Sequence, residues 1–317
     1  MDSESSSPWG YRSYRDYLAQ RFPGKVVRKL CLEAGFSCPN LDGTLGIGGC
    51  TFCNNRGFVP DAKGRKDLRE QWERGKEKLR QRHGKIDGFI AYFQAFSNTH
   101  GPVEKLKGLY GGAMEGFDEC WGMSISTRPD CLAEGVPEFL EELGKRTFLT
   151  VELGLQSDRD EVLKNINRGH DVACFDRAVN DLGNRSFDLC VHVMLGLPGE
   201  GDDALERMGQ KLASLPVRSL KVHNLHIMRG TAMAKDFEEG RLLPLSKEAY
   251  LDGLRRLIAE LRPDQFCQRV IADAPDRLLL GDSWCQDKQA FLKDLGAGEV
   301  PSENAGGLRV STPTIQP

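Results

Sequence analysis

Six short apolar runs, each followed by a stretch in which apolar residues recur every three or four positions, divide the chain between residues 26 and 261. The runs are 26–34 (VVRKLCLEA), 88–96 (GFIAYFQAF), 122–127 (GMSIST), 148–156 (FLTVELGLQ), 187–196 (FDLCVHVMLG) and 219–228 (SLKVHNLHIM). Short, apolar and rich in β-branched residues, they read as strands buried on both faces. Helical spacing covers 67–83, 103–114, 136–145, 172–182 and 204–215, and a last helix over 247–261 stops at Pro263. Ser157, with Asp160 three residues on, reads as an N-cap opening a helix through Leu163. Strand–helix alternation predicts a parallel sheet with right-handed crossovers, as an open, incomplete βα barrel or a doubly wound sheet. In either, ligands sit at the carboxyl ends of the strands. Those ends carry the polar and glycine-rich residues: QAFSNTH, STRPD, GLQS, GLPGE and HIMRGT.

The first strand is followed by SCPNLDGTLGIGGCTFC, residues 37–53, which holds Cys38, Cys50 and Cys53 among four glycines. A structural zinc site wants four protein ligands, and a [4Fe–4S] cluster ordinarily takes four thiolates. Three thiols leave one iron of a cluster open to a substrate or cofactor, which suggests catalysis more than structure. Free thiols or zinc are the plainer alternatives. Cys31 lies in the expected first strand, and the other cysteines show no CxxC pairing, as suits small buried hydrophobes.

Composition narrows the setting. The 317 residues carry a net charge of −3, so no global field draws the chain to nucleic acid or membrane. No apolar run nears the ~20 residues of a membrane span. The opening MDSESSSPWG reads as a disordered tail, not a signal peptide, so a soluble cytoplasmic protein is expected. Residues 63–85 hold ten Lys or Arg against four Asp or Glu, a local balance of 10 − 4 = +6. That helix is either an RNA contact or a solvated outer face, since Glu70 and Arg74 stand at i, i+4.

The cysteine loop, with AGFSCPN, GGCTFCNN, TRPDCL, ELGLQS and GLPGE in this order, resembles the radical S-adenosylmethionine (SAM) superfamily. The C-x11-C-x2-C spacing is similar to the elongator-catalytic-subunit-like branch, and nearer still to the YhcC-like group; DAP (273–275) and Trp284 with Lys288 extend the match. The resemblance implies an incomplete (β/α)6 TIM-like barrel with parallel strands and a small helical C-terminal extension. The expected divisions are a tail over 1–13, a barrel core over 14–235, an extension over 236–300 and a flexible tail over 301–317. It implies a [4Fe–4S] cluster on Cys38, Cys50 and Cys53, and reductive cleavage of SAM to a 5′-deoxyadenosyl radical. The substrate is unidentified, with tRNA first and a small molecule or peptide as alternatives; a zinc-stabilised binding module is the non-enzymatic alternative. A flavodoxin or ferredoxin electron donor and a monomer are further expectations.

Several site residues follow from the same resemblance. Phe52 stands where an aromatic meets the adenine of SAM. In the related coproporphyrinogen dehydrogenases a glutamine ends the fourth strand and an arginine twelve residues on helps hold SAM; Gln156 and Arg168 match both types and the interval. A glutamate of those relatives is replaced by Ser126, so the ribose contact falls to Ser126 or Thr127. Gln94 and Ser97 stand in for a missing glycine-rich motif near the SAM amino group. Glu152 is costly in a strand unless paired, with Lys221 or a histidine as partner, or else it faces the cofactor. His192, His223 and His226 read as core or rim histidines. Asp273, Trp284 and Lys288 are candidates for a substrate entry, and Cys267 and Cys285 for a radical relay.

Overall fold

The computed structural model describes residues 10–54, 67–201, 203–272, 274–281 and 284–297. Its strands are β1 (Val27–Leu32), β2 (Gly88–Phe93), β3 (Cys120–Thr127), β4 (Phe148–Gln156), β5 (Asp188–Leu195), β6 (Ser219–Asn224), β7 (Ile227–Met228), β8 (Phe266–Arg269) and β9 (Leu279–Leu280). Seven of them pair in parallel, in the order β1-β2-β3-β4-β5-β6-β8, and the sheet curls into a partial barrel. The expected six strands are all present. The sixth ends at Asn224, and the residues expected to continue it form β7, which pairs antiparallel with β9. The seventh, β8, is only four residues long, FCQR, too short to show a period.

Ten helices surround the sheet among the described residues: α1 (Tyr14–Arg21), α2 (Leu68–His83), α3 (Val103–Gly116), α4 (Val136–Arg146), α5 (Asp160–Asn165), α6 (Val172–Leu182), α7 (Ala204–Ser214), α8 (Ala232–Glu238), α9 (Lys247–Ala259) and α10 (Lys288–Ala297). Each main helix buries one stripe. That of α4 is Val136, Phe139, Leu140 and Leu143, and that of α6 is Phe175, Ala178, Val179 and Leu182. These join Leu30, Leu32, Val151, Val191 and Val222 of the strands in one core outside the barrel. Burial of each such side chain contributes about 1.5–3 kcal/mol. Trp284, read as a substrate-entry residue, packs against Tyr250 and Phe291 at the edge of this core. Asp273 lies outside the described residues.

The Ser157 cap is corrected. Helix α5 starts at Asp160 with Arg159 as its N-cap, and the Ser157 hydroxyl instead accepts from the Arg159 N–H at 3.2 Å and donates to Glu200. Asp160 turns outward and accepts from the Val172 N–H at 2.7 Å, joining α5 to the start of α6.

Helix α1, unread in the sequence, closes one mouth of the barrel. Ser13 and Asp16 form a capping box at its start. Its Tyr14 and Tyr17 stack on Phe266, with Tyr17 and Phe266 centroids 4.1 Å apart. Val27 and Ile90 complete this apolar floor. The ligand-bearing ends of the strands lie at the other mouth. No helix among the described residues is long and apolar enough to cross a membrane.

Candidate functional site

The cysteine loop leaves β1 and is pinned by backbone bonds on three sides. Ser97 N–H donates to Ser37 O at 3.1 Å, Thr51 N–H to Ile166 O at 3.0 Å, and Met233 N–H to Thr51 O at 3.1 Å. The polypeptide after β2, the end of α5 and the start of α8 thus fix the loop over the open mouth. Cys38 and Cys50 are buried and Cys53 half-buried, and all three thiols are free of disulfides. They line one pocket together with every residue singled out as a SAM contact: Phe52, Gln94, Ser97, Ser126, Thr127, Gln156 and Arg168.

Two buried guanidinium groups reach this loop. Arg168 places Nη1 3.6 Å from Cys50 Sγ and donates from Nη2 to Gly154 O at 2.7 Å. Its Nε is buried with no partner among the described residues. Arg128 places Nη1 4.0 Å from Cys38 Sγ and grips Asp130 with Nε at 2.8 Å and Nη2 at 2.6 Å. It also donates to Arg168 O at 2.8 Å, so one arginine fixes the turn that carries the other. Burial alone would raise the Asp130 pKa; hydrogen bonds and charge from Arg128 outweigh it and hold the carboxyl below its usual range. Asn40 lies between these groups, its Nδ2 3.8 Å from Cys50 Sγ and donating to Asn167 O.

Backbone strain gathers here as well. Gln156 takes a positive φ of 74°, where the β4–β5 register slips between Gly154 and Gln156. A Cβ on Gly154 would lie 2.6 Å from Arg168 Nη2 and 2.7 Å from Gln156 Nε2, so only glycine lets both side chains stand where they do.

The pocket floor is an ionic hub inside the barrel. Glu152, with no side-chain exposure, accepts at Oε1 from Lys29 at 2.8 Å and Ser124 at 2.5 Å. At Oε2 it accepts from Lys221 at 2.6 Å, His192 Nε2 at 2.7 Å, Ser126 at 2.8 Å and Tyr92 at 3.0 Å. Burial would raise its pKa, and the charges of Lys221 and Lys29 with the His192 hydrogen bond bring it well below the usual value. Burial pushes His192 down to about 4, so the ring is neutral and its Nε2–H donates. Both partners expected for Glu152, Lys221 and a histidine, are thus present. The Ser126 hydroxyl is spent on this hub, and that of Thr127 is shared with Thr99 at 2.6 Å. Ser97 is 1% exposed, with its Oγ aimed at no hydrogen-bond partner among the described residues.

Among the described residues, the one trio of His, Cys, Asp or Glu whose ligand atoms lie within 4.8 Å of one another is Glu152, Cys190 and His192. Two lysines already neutralise that carboxylate, so a metal cation would face their charge there. The sequence reading passed over Arg128, Asn40, Lys29 and Tyr92. Arg128 was visible as the arginine of STRPD, whereas Tyr92 sits in a strand apolar throughout, where no alternation marks the inward face.

Residues 47–212 match the family model of the radical SAM superfamily, and 217–297 match its Radical_SAM C-terminal domain model. The chain belongs to the radical SAM superfamily. It is 38% identical over 300 residues to the uncharacterized protein YtqA of Bacillus subtilis, covering 94% of this chain and 91% of that one. It is 35% identical to Protein YhcC of Escherichia coli, covering 88% of each. Among solved structures it resembles the archaeal Methanocaldococcus infernus Elp3, with a TM-score of 0.61 at 18% identity, over 81% of this chain and 59% of that one. The radical SAM domain makes the chain a radical SAM enzyme of the YhcC-like, elongator-related group, and its cofactors are a [4Fe–4S] cluster and SAM. The donor set fits such a cluster: three thiols, two guanidinium groups beside them, and a buried Arg168 Nε with no partner among the described residues.

Proposed function

We propose that Cys38, Cys50 and Cys53 are the cluster ligands and that SAM binds between them and the ends of β2–β5. The observation that carries this reading is the convergence of three cysteines outside any disulfide, two buried arginines and the strained Gln156 on one pocket. Bound together, the cofactors supply one-electron cleavage of SAM to methionine and a 5′-deoxyadenosyl radical that takes a hydrogen atom from the substrate. The chain's own residues set the conditions. Arg128 and Arg168 put positive charge beside two of the sulfurs, where it offsets the negative charge of a thiolate-bound cluster. Gln156 and Gln94 offer amides to the ribose and amino group of SAM, Ser97 a buried hydroxyl, and Phe52 a face for adenine. The Ser126 and Thr127 hydroxyls, already engaged, shape the wall.

A single zinc ion with Zn–S of about 2.3 Å would hold its thiolates about 3.8 Å apart. The three cysteines are not among the groups whose ligand atoms gather within 4.8 Å, which favours a larger body. A small one-electron donor protein, a flavodoxin or ferredoxin, completes the reaction. RNA as substrate finds modest support on α2, where Lys76 is held by Asp118 at 2.7 Å and Glu119 at 3.3 Å and Arg80 by Glu119. The net charge of +6 read in the sequence is thus partly neutralised across the fold.

The test is iron and sulfide content with an absorbance spectrum on oxygen-free protein, for wild type and Cys50→Ala, followed by dithionite and SAM. About four irons per chain, lost in the variant, with 5′-deoxyadenosine formed by wild type, is the expected result. One zinc in place of iron, or a cluster that never cleaves SAM, sinks the reading.

A further inference from the structure

Below the pocket, the inward face of the barrel holds more positive charge than its acids balance. Lys29 and Lys221 both pair with Glu152. Lys29 also donates to Gln268 Oε1 at 2.6 Å, which ties the two edge strands β1 and β8 across the barrel seam. Beside that seam stands a third cation, Arg269. The β6–β8 register slips after Leu220, so Lys221 pairs with Arg269 and Gln268 is the extra residue of a bulge. The bulge turns Gln268 and Arg269 inward together, Gln268 reaching Lys29 from one side and Ser219 from the other. The guanidinium charge of Arg269 is felt by His223, His192, Tyr92 and Cys31, all inward-facing. Among the described residues no carboxylate pairs with it.

A second unmet group lies next to it. His223, one strand from Arg269, has a buried Nε2 with no hydrogen-bond partner among the described residues. Its ring packs 5.2 Å from that of His192, which lines the cysteine pocket, so the two spaces adjoin. An unmet imidazole nitrogen is costly inside a fold, and the partly exposed Arg269 beside it has no carboxylate partner among the described residues. Together they make one ligand chemistry. A guanidinium fork matches the planar or tetrahedral oxygens of an oxyanion, and a neutral imidazole adds one more N–H donor.

We infer that Arg269 and His223 form a substrate subsite that holds an oxyanion, a carboxylate or a phosphate, of the molecule on which the radical acts. This deepens the radical SAM reading and rests on it for the word substrate; the anion site itself stands on the barrel residues alone. Lys29 and Lys221 share Glu152, and the Arg269 charge beyond them is what an anionic substrate neutralises.

The experiment titrates cluster-loaded protein with malonate and, separately, with inorganic phosphate, at an ionic strength held constant with sodium chloride, and follows the thermal midpoint. A saturable rise in wild type, with half-saturation shifted about tenfold or more upward in Arg269→Gln, is expected. The anion that saturates at the lower concentration identifies the group as carboxylate or phosphate. Without added anion, Arg269→Gln melts close to the wild-type temperature, because a partly exposed guanidinium is solvated; Arg269→Lys keeps part of the response. No saturable rise with either anion, or an equal rise in the glutamine variant, overturns the subsite. Iron content after anaerobic reconstitution reports separately on the cluster reading: protein that takes up no iron yet still shows the Arg269-dependent rise sinks that reading and leaves the anion site standing.

Discussion

Gly154 is the residue on which the geometry of the pocket turns. Gly154→Ala brings a methyl group within 2.6 Å of Arg168 Nη2, so either Arg168 leaves Cys50 or Gln156 leaves its strained pose. Displacement by about 1 Å at a reacting site costs about a hundredfold in rate. SAM cleavage in Gly154→Ala is expected to fall by that order while the thermal midpoint moves little; wild-type cleavage would show that neither side chain positions SAM. Glu152 makes the opposite case, stability over site geometry. Glu152→Gln leaves the buried Lys221 and the half-buried Lys29 without their anion and should cost about 3–5 kcal/mol in urea unfolding. A loss under 1 kcal/mol would mean that water, not Glu152, compensates the lysines.

The histidines give the residue scale a pH dependence. His170 and His192 are both held at about 4 by burial, and burial with Arg269 puts His223 well below its ordinary 6.5. As pH falls from 6.5 towards 4 the unfolded chain takes up these protons and the folded chain does not, so folding stability falls through that window. The depressed carboxyl of Glu152 adds a second loss, which begins only as pH drops below its ordinary 4.5. Unfolding free energy measured from pH 7 to 4 should therefore decline, and the slope should be shallower in His192→Gln. An unchanged slope would mean that His192 titrates normally in the folded protein.

At the scale of elements, two unread segments complete the barrel. Helix α1 supplies Tyr17, whose ring stacks on Phe266 and whose hydroxyl is bonded to Asp188. Tyr17→Ala removes the stack and leaves a half-buried carboxyl without that donor, at a cost of about 3–5 kcal/mol. A loss near zero in urea unfolding would show that α1 does not anchor the floor. At the other end, α7 and α9 approach so closely that a Cβ on Gly253 would stand 1.9 Å from Leu205 Cδ1. The helical pattern announced both helices, but not that they touch. Pattern reading succeeded for β1 to β6 because each spans six residues or more. It failed for β8, whose four residues carry no period and whose place is set by pairing with β6.

For the whole molecule, the strand that closes the sheet comes from the last quarter of the chain. A chain ending at residue 235, the sequence-expected end of the barrel core, loses β8 and α9. It thereby uncovers Leu220, Val222 and the inner face of α7. We expect that truncated chain to aggregate or to lack a cooperative unfolding transition, as read by gel filtration and circular dichroism. A monomer with a sharp transition would make 14–235 an independent unit.

The sequence alone determined the parallel strand–helix order, the three-cysteine loop and the strand-end residues from Gln94 to Arg168, because each is local: a period, a spacing or a position just past a strand. Only the tertiary structure decided that Arg128 and Arg168 bear on two sulfurs, that Lys29 and Lys221 share Glu152, and that Arg269, with no carboxylate partner among the described residues, stands one strand from His223. These meetings join residues up to 239 positions apart, as Lys29 and Gln268 do. Their geometry depends on how a sheet curls and where its register slips, which no single stretch of sequence encodes.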